Sequence, residues 1–249
     1  MADAYGREDI EGHGAEHRRL RLAPLRLARS DDAGSNVAVL PVGRDAVRAA
    51  GTYERMAKPA IDFVAALALV VLLLPIFAVL ALRLRLSGSP ALYRQTRVGR
   101  DGRPFTIWKF RTMLDDRRGQ PGASPDGPER RLAHKTENDP RVTPTGAVLR
   151  RWSLDELPQL WNVLRLEMSL VGPRPELVEI VATYEPWQHE RHRVRPGLTG
   201  PWQVSERANG LMREHIDLDL EYARSVSLLT DVRLLLRTVP FLLGRLPGY

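Results

Sequence analysis

Between Phe63 and Leu82 the chain reads FVAALALVVLLLPIFAVLAL, an apolar run without a single charge. As a helix it extends roughly 30 Å, the thickness of the hydrocarbon core of a bilayer. A buried core helix is the ordinary alternative, and the length and purity of the run argue against it. Basic residues flank both ends, Arg55 and Lys58 before it, Arg83 and Arg85 after it. Positive residues keep to the cytoplasmic side, so a simple span leaves one end badly placed. Pro75 interrupts the run. It cannot donate to the Val71 carbonyl, and it biases Leu74 away from helical angles. A helix that enters the bilayer, bends at Pro75 and returns to the same leaflet satisfies both observations. Residues 53–86 are therefore expected to form a re-entrant membrane helix.

That anchor divides the chain. Residues 1–52 are Arg-, Ala-, Asp- and Gly-rich with little apolar periodicity, which predicts a disordered basic N-terminal tail. Within it, Arg18–Arg29 alternates basic and apolar residues and suits either solvent or an anionic membrane surface. The apolar run starts too far into the chain for a cleavable signal peptide. Residues 87–249 remain for a cytoplasmic domain. Ala91–Val98 and Pro104–Thr112 alternate around Gly99-Arg-Asp-Gly102 and predict a β-hairpin. Residues 115–130 read as a mobile loop, and Asn138–Gly146 as a turn-rich connector. Leu157, Leu160, Trp161, Leu164 and Met168 follow a helical stripe. Residues 211–246 predict amphipathic helix, with Leu228, Leu229, Val232, Leu235, Leu236 and Phe241 on the apolar side. Arg233, Arg237 and Arg245 could face headgroups, so this region lies on the membrane surface or packs on the core. The fold class expected is α+β: a monotopic membrane protein with a small β-hairpin, a mostly helical cytoplasmic domain and interfacial amphipathic helices.

The 249 residues carry a net charge of +7, most of the positive charge coming from Arg. That favours an anionic partner: nucleic acid, an acidic membrane or a phosphorylated small molecule. The planar fork of Arg suits phosphate better than the point charge of Lys. With no Cys, disulfides, thiolate catalysis and Cys-ligated zinc are excluded.

In so basic a chain the acids of Ser153-Leu-Asp-Glu-Leu-Pro stand out. Ser153-x-x-Glu156 matches a capping box, although that register puts Pro158 where a helical N–H is needed. With Asp155 as N-cap, Pro158 falls in the first turn, where none is needed, and Asp155 sits at the positive end of a helix, where phosphates also bind. Capping and catalysis both remain open on local grounds. The surroundings favour chemistry. Arg150 and Arg151 precede the acids, Arg174 is clamped between Pro173 and Pro175, and Lys109 and Arg111 end the hairpin. Gly172, Gly197 and Gly200 would let backbone approach a ligand closely. Carboxylates beside several cations suggest a metal–phosphate site, in which a carboxylate binds Mg²⁺ or attacks phosphorus while arginines neutralise phosphoryl oxygens. Three patterns carry less. Asp217-Leu-Asp219 is a common triplet, His189-Glu-Arg-His192 is one residue short of a zinc motif, and no phosphate-binding loop of the G-x-x-x-x-G-K-S/T kind occurs.

Over about residues 53–246 the chain resembles the bacterial sugar transferases, the monotopic phosphoglycosyl transferases, in their short form. The resemblance rests on SPALYRQTRVGRDGRPFTIWKFRTM, RRWSLDELPQLWNVLRLEMSLVGPRPE and RPGLTGPWQVSER. It implies transfer of a sugar 1-phosphate from a UDP-sugar to a polyprenol phosphate, such as undecaprenyl phosphate, at the cytoplasmic face of the bacterial inner membrane. This step begins the synthesis of a surface polysaccharide. It implies a ping-pong route in which Asp155 attacks the β-phosphorus and UMP leaves. Glu156 would help bind Mg²⁺ or manage the acceptor proton, so that Asp155 and Glu156 are also the metal ligands. Lys109, Arg150 and Arg174 match family positions near the phosphates, Arg111 lies beside them, and Asp219 matches a polar position of the C-terminal segment. The partners implied are the UDP-sugar, the lipid phosphate and the membrane; a homodimer is allowed and nucleic acid is not expected. Departures are Lys58-Pro59 for a Lys-Arg pair, Leu74-Pro75 for Ser-Pro, and Leu166 and Glu206 for glycines. A catalytically inactive scaffold for glycan assembly is the alternative, and the retention of Asp155, Glu156 and Arg174 together argues against it.

Overall fold

A computed structural model describes residues 50–86, 90–114, 141–205 and 215–242. The tail up to residue 49, the loop 115–130, Glu206 and Arg245 lie outside these residues. The apolar run forms helix α1, Lys58–Leu86, entered through one wide turn at Tyr53–Ala57. Contrary to the sequence expectation, Leu74 and Pro75 stay helical and α1 is not broken between them. Proline removes one hydrogen bond, and the turns on both sides hold it in helical geometry.

One narrow stripe of α1 faces inward. Asp62, Ala66, Val70, Leu73, Phe77, Leu80 and Leu84 are buried or half-buried, three or four residues apart. The opposite side is apolar and open, with Val64, Val71, Leu72, Leu74, Val79 and Leu82 between 61% and 73% exposed. Both ends of the stripe dock on the same body. Lys58 Nζ lies 2.6 Å from Asp231 Oδ2 at one end. At the other, Leu84 packs with Phe110 and Leu149, and the Phe77 ring lies 5.8 Å from that of Phe110.

The hairpin forms as expected. Strands β1 (Leu92–Val98) and β2 (Pro104–Phe110) are antiparallel, with Leu92 opposite Phe110 and Val98 opposite Pro104. Its turn takes left-handed geometry at Asp101 and Gly102. Helix α2, Pro144–Arg151, starts as its sequence dictates: Thr143 Oγ1 accepts the Gly146 N–H at 2.9 Å, and proline occupies the first position. The expected helix after the two acids is short, a 3₁₀ segment Leu154–Gln159 followed by α3, Leu160–Leu164. Asn162, wholly buried, ties α3 to the hairpin. Its amide donates to the Thr106 carbonyl at 2.7 Å, and its oxygen accepts the Trp108 N–H at 3.3 Å.

Strand β3 (Ser169–Val171) pairs in parallel with β4 (Gly197–Thr199). The three glycines expected to admit a ligand serve the backbone instead. A Cβ on Gly197 would lie 2.1 Å from Gly172 N, and one on Gly200 2.0 Å from Gly172 O. Between β3 and β4 lie α4 (Val178–Val181) and a 3₁₀ stretch Pro186–Arg193, which opens with a capping box of Glu185 and Gln188. The C-terminal region divides into α5 (Ile216–Arg224) and α6 (Leu228–Leu242). The main core joins Ala66 of α1 to Ile107, Leu160, Val163, Met168, Val171, Tyr222 and Leu234. On α6 the side turned inward carries Asp231 and Leu234, while Leu228, Leu229, Val232, Leu235, Leu236 and Val239 are exposed.

Candidate active site

Ser153 adopts left-handed geometry, φ 53°, and throws the chain into the 3₁₀ segment. Neither capping register forms. The Ser153 side chain caps nothing, and Asp155 is the second residue of the 3₁₀ turn. The Glu156 side chain does not reach back to Ser153; its N–H bonds to the Ser153 carbonyl at 3.2 Å instead. The left-handed residue redirects the backbone, and its hydroxyl makes no capping bond. Leu154 and Leu157 pack against the Leu84–Phe110–Leu149 cluster on either side of the acids. Both are half-buried, so each contributes less than the roughly 1.5–3 kcal/mol of a fully buried leucine, yet together they pin the acidic pair between two apolar anchors.

Glu156 Oε1 receives two cations. Lys109 Nζ, from β2, lies 2.7 Å away, and Arg174 Nη2, from the loop after β3, lies 3.1 Å away. Three segments distant in sequence thus meet at one oxygen. Burial opposes the charge of Glu156, but the Arg174 and Lys109 cations and their hydrogen bonds outweigh it, bringing its pKa down to about 2. Burial likewise pushes the Lys109 ammonium down. Asp155 differs from its neighbour. Among the described residues it accepts no hydrogen bond. Burial first, then the Glu156 charge, raise it to about 6 against the pull of Lys109, Arg150 and Arg174. Arg150 is held by its Nε–H to Thr112 Oγ1 at 2.9 Å.

The structure therefore brings together Asp155, Glu156, Lys109, Arg150 and Arg174. Arg111 continues the register of the hairpin, its N–H bonded to the Ala91 carbonyl at 2.9 Å, two residues beyond Lys109. Asp219 is elsewhere: wholly buried on α5, it pairs with the guanidinium of Arg191. His189 and His192 are buried against Tyr184, the first edge-on and the second stacked, and among the described residues no group of three or more acidic, His or Cys side chains could hold a metal. Two carboxylates still fit a Mg²⁺ that takes its other oxygens from phosphate and water. Glu156 Oε2 and both oxygens of Asp155 are free of hydrogen bonds to the described residues.

Sequence reasoning passed over Arg97, Glu176 and Arg191. Arg97 Nη1 lies 3.3 Å from Glu176 Oε1 and 3.4 Å from the Pro175 carbonyl. Arg191 Nη2 donates to the Arg174 carbonyl at 2.7 Å. The signal available was weak: Arg97 lies inside an alternating strand, and Arg191 inside the His189–His192 pattern that fits no zinc motif.

The model of the family described as bacterial sugar transferase matches residues 53–245. A UDP-glucose:undecaprenyl-phosphate glucose-1-phosphate transferase of Caulobacter vibrioides is 43% identical over 210 residues, 79% of this chain and 75% of its own. An exopolysaccharide production protein of Rhizobium meliloti, ExoY, is 38% identical over 81% of this chain and 90% of its own. A UDP-galactose-lipid carrier transferase of Erwinia amylovora is 38% identical over 79% of this chain, but the match spans only 42% of that longer protein.

Proposed function

Since the chain belongs to the bacterial sugar transferase family, we propose that it transfers a sugar 1-phosphate from a UDP-sugar to undecaprenyl phosphate or a similar polyprenol phosphate, releasing UMP. The observation that carries the reading is the pair of adjacent carboxylates in opposite states: Glu156 bonded to both Lys109 and Arg174 through one oxygen, Asp155 without a hydrogen-bond partner among the described residues. An Asp155 oxygen attacks the β-phosphorus, and the bond from that phosphorus to the bridging oxygen breaks. UMP leaves with the bridging oxygen, and the sugar phosphate stays on Asp155 as an acyl phosphate. An oxygen of the lipid phosphate then attacks the same phosphorus, the Asp155–phosphorus bond breaks, and the carboxylate is restored. Arg174, Lys109 and Arg150 hold the phosphoryl oxygens and stabilise the charge that develops on them. Glu156, ionised throughout the neutral range, aligns Lys109 and Arg174; its low pKa suits that task better than proton transfer. A Mg²⁺ bound by Asp155 and Glu156 would supply further charge neutralisation at the diphosphate.

The anchoring supports a membrane acceptor. Both ends of α1 dock on one body, which suits an anchor that keeps to one side of the bilayer even though α1 is not broken at Pro75. The outer sides of α1 and α6 are apolar and exposed, which suits the two helices to immersion in the cytoplasmic leaflet of the inner membrane. The test is a single incubation with a panel of UDP-sugars, Mg²⁺ and no lipid acceptor. The expected result is about one UMP released per active site and an acid-labile sugar-phosphate mass on a peptide containing Asp155. UMP release that strictly requires both substrates overturns the covalent route.

A further inference from the structure

Arg174 is the cation that reaches Glu156 from the loop after β3, and its side chain can be aimed only if its backbone is. Pro173 and Pro175 fix their own φ angles, and a residue before proline is confined to extended geometry. The two carbonyls that follow are held as well. The Arg174 carbonyl accepts from Arg191 Nη2 at 2.7 Å, and the Pro175 carbonyl lies 3.4 Å from Arg97 Nη1. Both arginines are compensated by carboxylates, Arg97 by Glu176 and Arg191 by Asp219.

The Arg191 arrangement is the costlier one. Its side chain is 1% exposed and that of Asp219 is wholly buried. Arg191 Nε and Nη2 both reach Asp219 Oδ2, and Nη1 donates to the Tyr184 hydroxyl at 3.1 Å. A buried ion pair of this kind is weak as a source of stability, because desolvation offsets most of its attraction. What it does supply is a guanidinium fixed on several sides, with one N–H presented to the Arg174 carbonyl. Asp219 and Arg191 reach the site through the Arg174 backbone, to which Arg191 Nη2 donates.

We infer that Asp219 and Arg191 are positioning residues for Arg174: the buried pair clamps the Arg174 carbonyl so that the guanidinium meets Glu156 and the substrate phosphate. The inference rests on the proposed transfer reaction for its kinetic consequence but not for its structural one. It assigns Asp219 an indirect role, through Arg191, in place of direct contact with substrate.

Two measurements on the full chain in nanodiscs test it. Hydrogen exchange of Asp219→Asn should accelerate in the 169–178 segment while peptides from the hairpin and α6 stay as in the wild type. UMP release should fall by about 10²-fold in Asp219→Asn, the order expected when a phosphate-binding group is misplaced by about an ångström. In an Arg174→Ala background the same substitution should cost less than about threefold, because residues acting through one another are non-additive. Tyr184→Phe, which removes one neutral contact from Arg191, is the milder variant should Asp219→Asn fail to fold. It should show the same pattern with a loss of about threefold. Unchanged exchange over 169–178, or losses that add in the double variant, would overturn the clamp. A wild-type chain that releases no UMP from any UDP-sugar overturns the reaction instead, and the exchange measurement still decides the clamp.

Discussion

Asp231 sits beside one cation and Asp155 beside three, yet the fold completes the first and leaves the second incomplete. Asp231 Oδ2 lies 2.6 Å from Lys58 Nζ and 2.7 Å from the Tyr53 hydroxyl, and Oδ1 lies 2.7 Å from the Tyr222 hydroxyl. Asp62 beside it receives the Ser169 hydroxyl at 2.6 Å. Every arm of that cluster ends on a protein partner, and together they fasten the start of α1 to α5, α6 and β3. Asp155 has cations within electrostatic reach but accepts no hydrogen bond from the described residues, and its pKa is raised to about 6. Saturated carboxylates hold elements together. A carboxylate left unsatisfied in this setting carries an energetic cost that a proton, a ligand, a metal or a covalent bond removes. The distinction between anchor and reactive group lies in this completeness.

The largest effect that sharpens the contrast is at Asp155. Asp155→Asn should lower UMP release by at least about 10³-fold, as loss of a nucleophile does, and yet stabilise the protein. The sign follows from its pKa, about 6 in the folded chain against an ordinary 3.8. Below pH 4 the carboxyl is protonated in both states and costs nothing. As pH rises from 4 to 6 the unfolded chain ionises more readily, so the wild type loses stability, and the loss persists above pH 6. Asparagine avoids it. Allowing for partial exposure, the gain is about 1–2 kcal/mol at pH 8, read as a higher Tm that converges with the wild type near pH 4. Correspondingly, wild-type kcat/KM for UMP release should climb with pH through about 6. An Asn variant less stable than the wild type at pH 8 would show that Asp155 is another structural anchor.

Asp231→Asn should do the reverse. It leaves Lys58 buried with only Asp62, at 3.7 Å, to balance it, and breaking a buried pair costs about 3 kcal/mol. That is a fall in Tm of about 6–12 °C for a chain of this size. UMP release per folded molecule should change by less than about threefold. A collapse of activity at unchanged Tm would place Asp231 in the chemistry and break the contrast.

The two clusters were not equally legible in the sequence. The reactive one was visible because its parts lie in short distinctive motifs: adjacent acids, an arginine between prolines, and a lysine at the end of an alternating strand. The hairpin was legible for the same local reason, since alternation and Gly99–Gly102 act within a few residues. The anchor cluster was not. Lys58 and Asp231 are separated by 173 positions, and no periodicity links them. The capping registers failed on a single backbone angle, because a left-handed Ser153 is indistinguishable in sequence from an N-cap serine. The glycines were recognised as points of close approach, but the partner was a neighbouring strand instead of a ligand. At Pro75 the local rule predicted an interruption that cooperative helix on both sides overrides.

The smallest effect tests whether the anchor's saturation confers tolerance. The Tyr53 hydroxyl is one of two groups on Asp231 Oδ2, and it is neutral. Tyr53→Phe keeps the ring, leaves Lys58 on the same oxygen at 2.6 Å and leaves Tyr222 on the other. No buried charge loses its counter-charge, and no donor is stranded, because the hydroxyl departs with its proton. The cost is then that of one hydrogen bond to a charged acceptor, softened by the two that remain, about 1 kcal/mol. Chemical denaturation in nanodiscs should register a shift of that size, with kcat and KM unchanged. The arithmetic is different at an unsaturated site, where each partner matters singly: removing Lys109 from Glu156 would leave Arg174 alone to hold a carboxylate in place. A loss of about 3 kcal/mol or more for Tyr53→Phe would mean that the Asp231 cluster works as one indivisible network, and that its spare partners confer no tolerance.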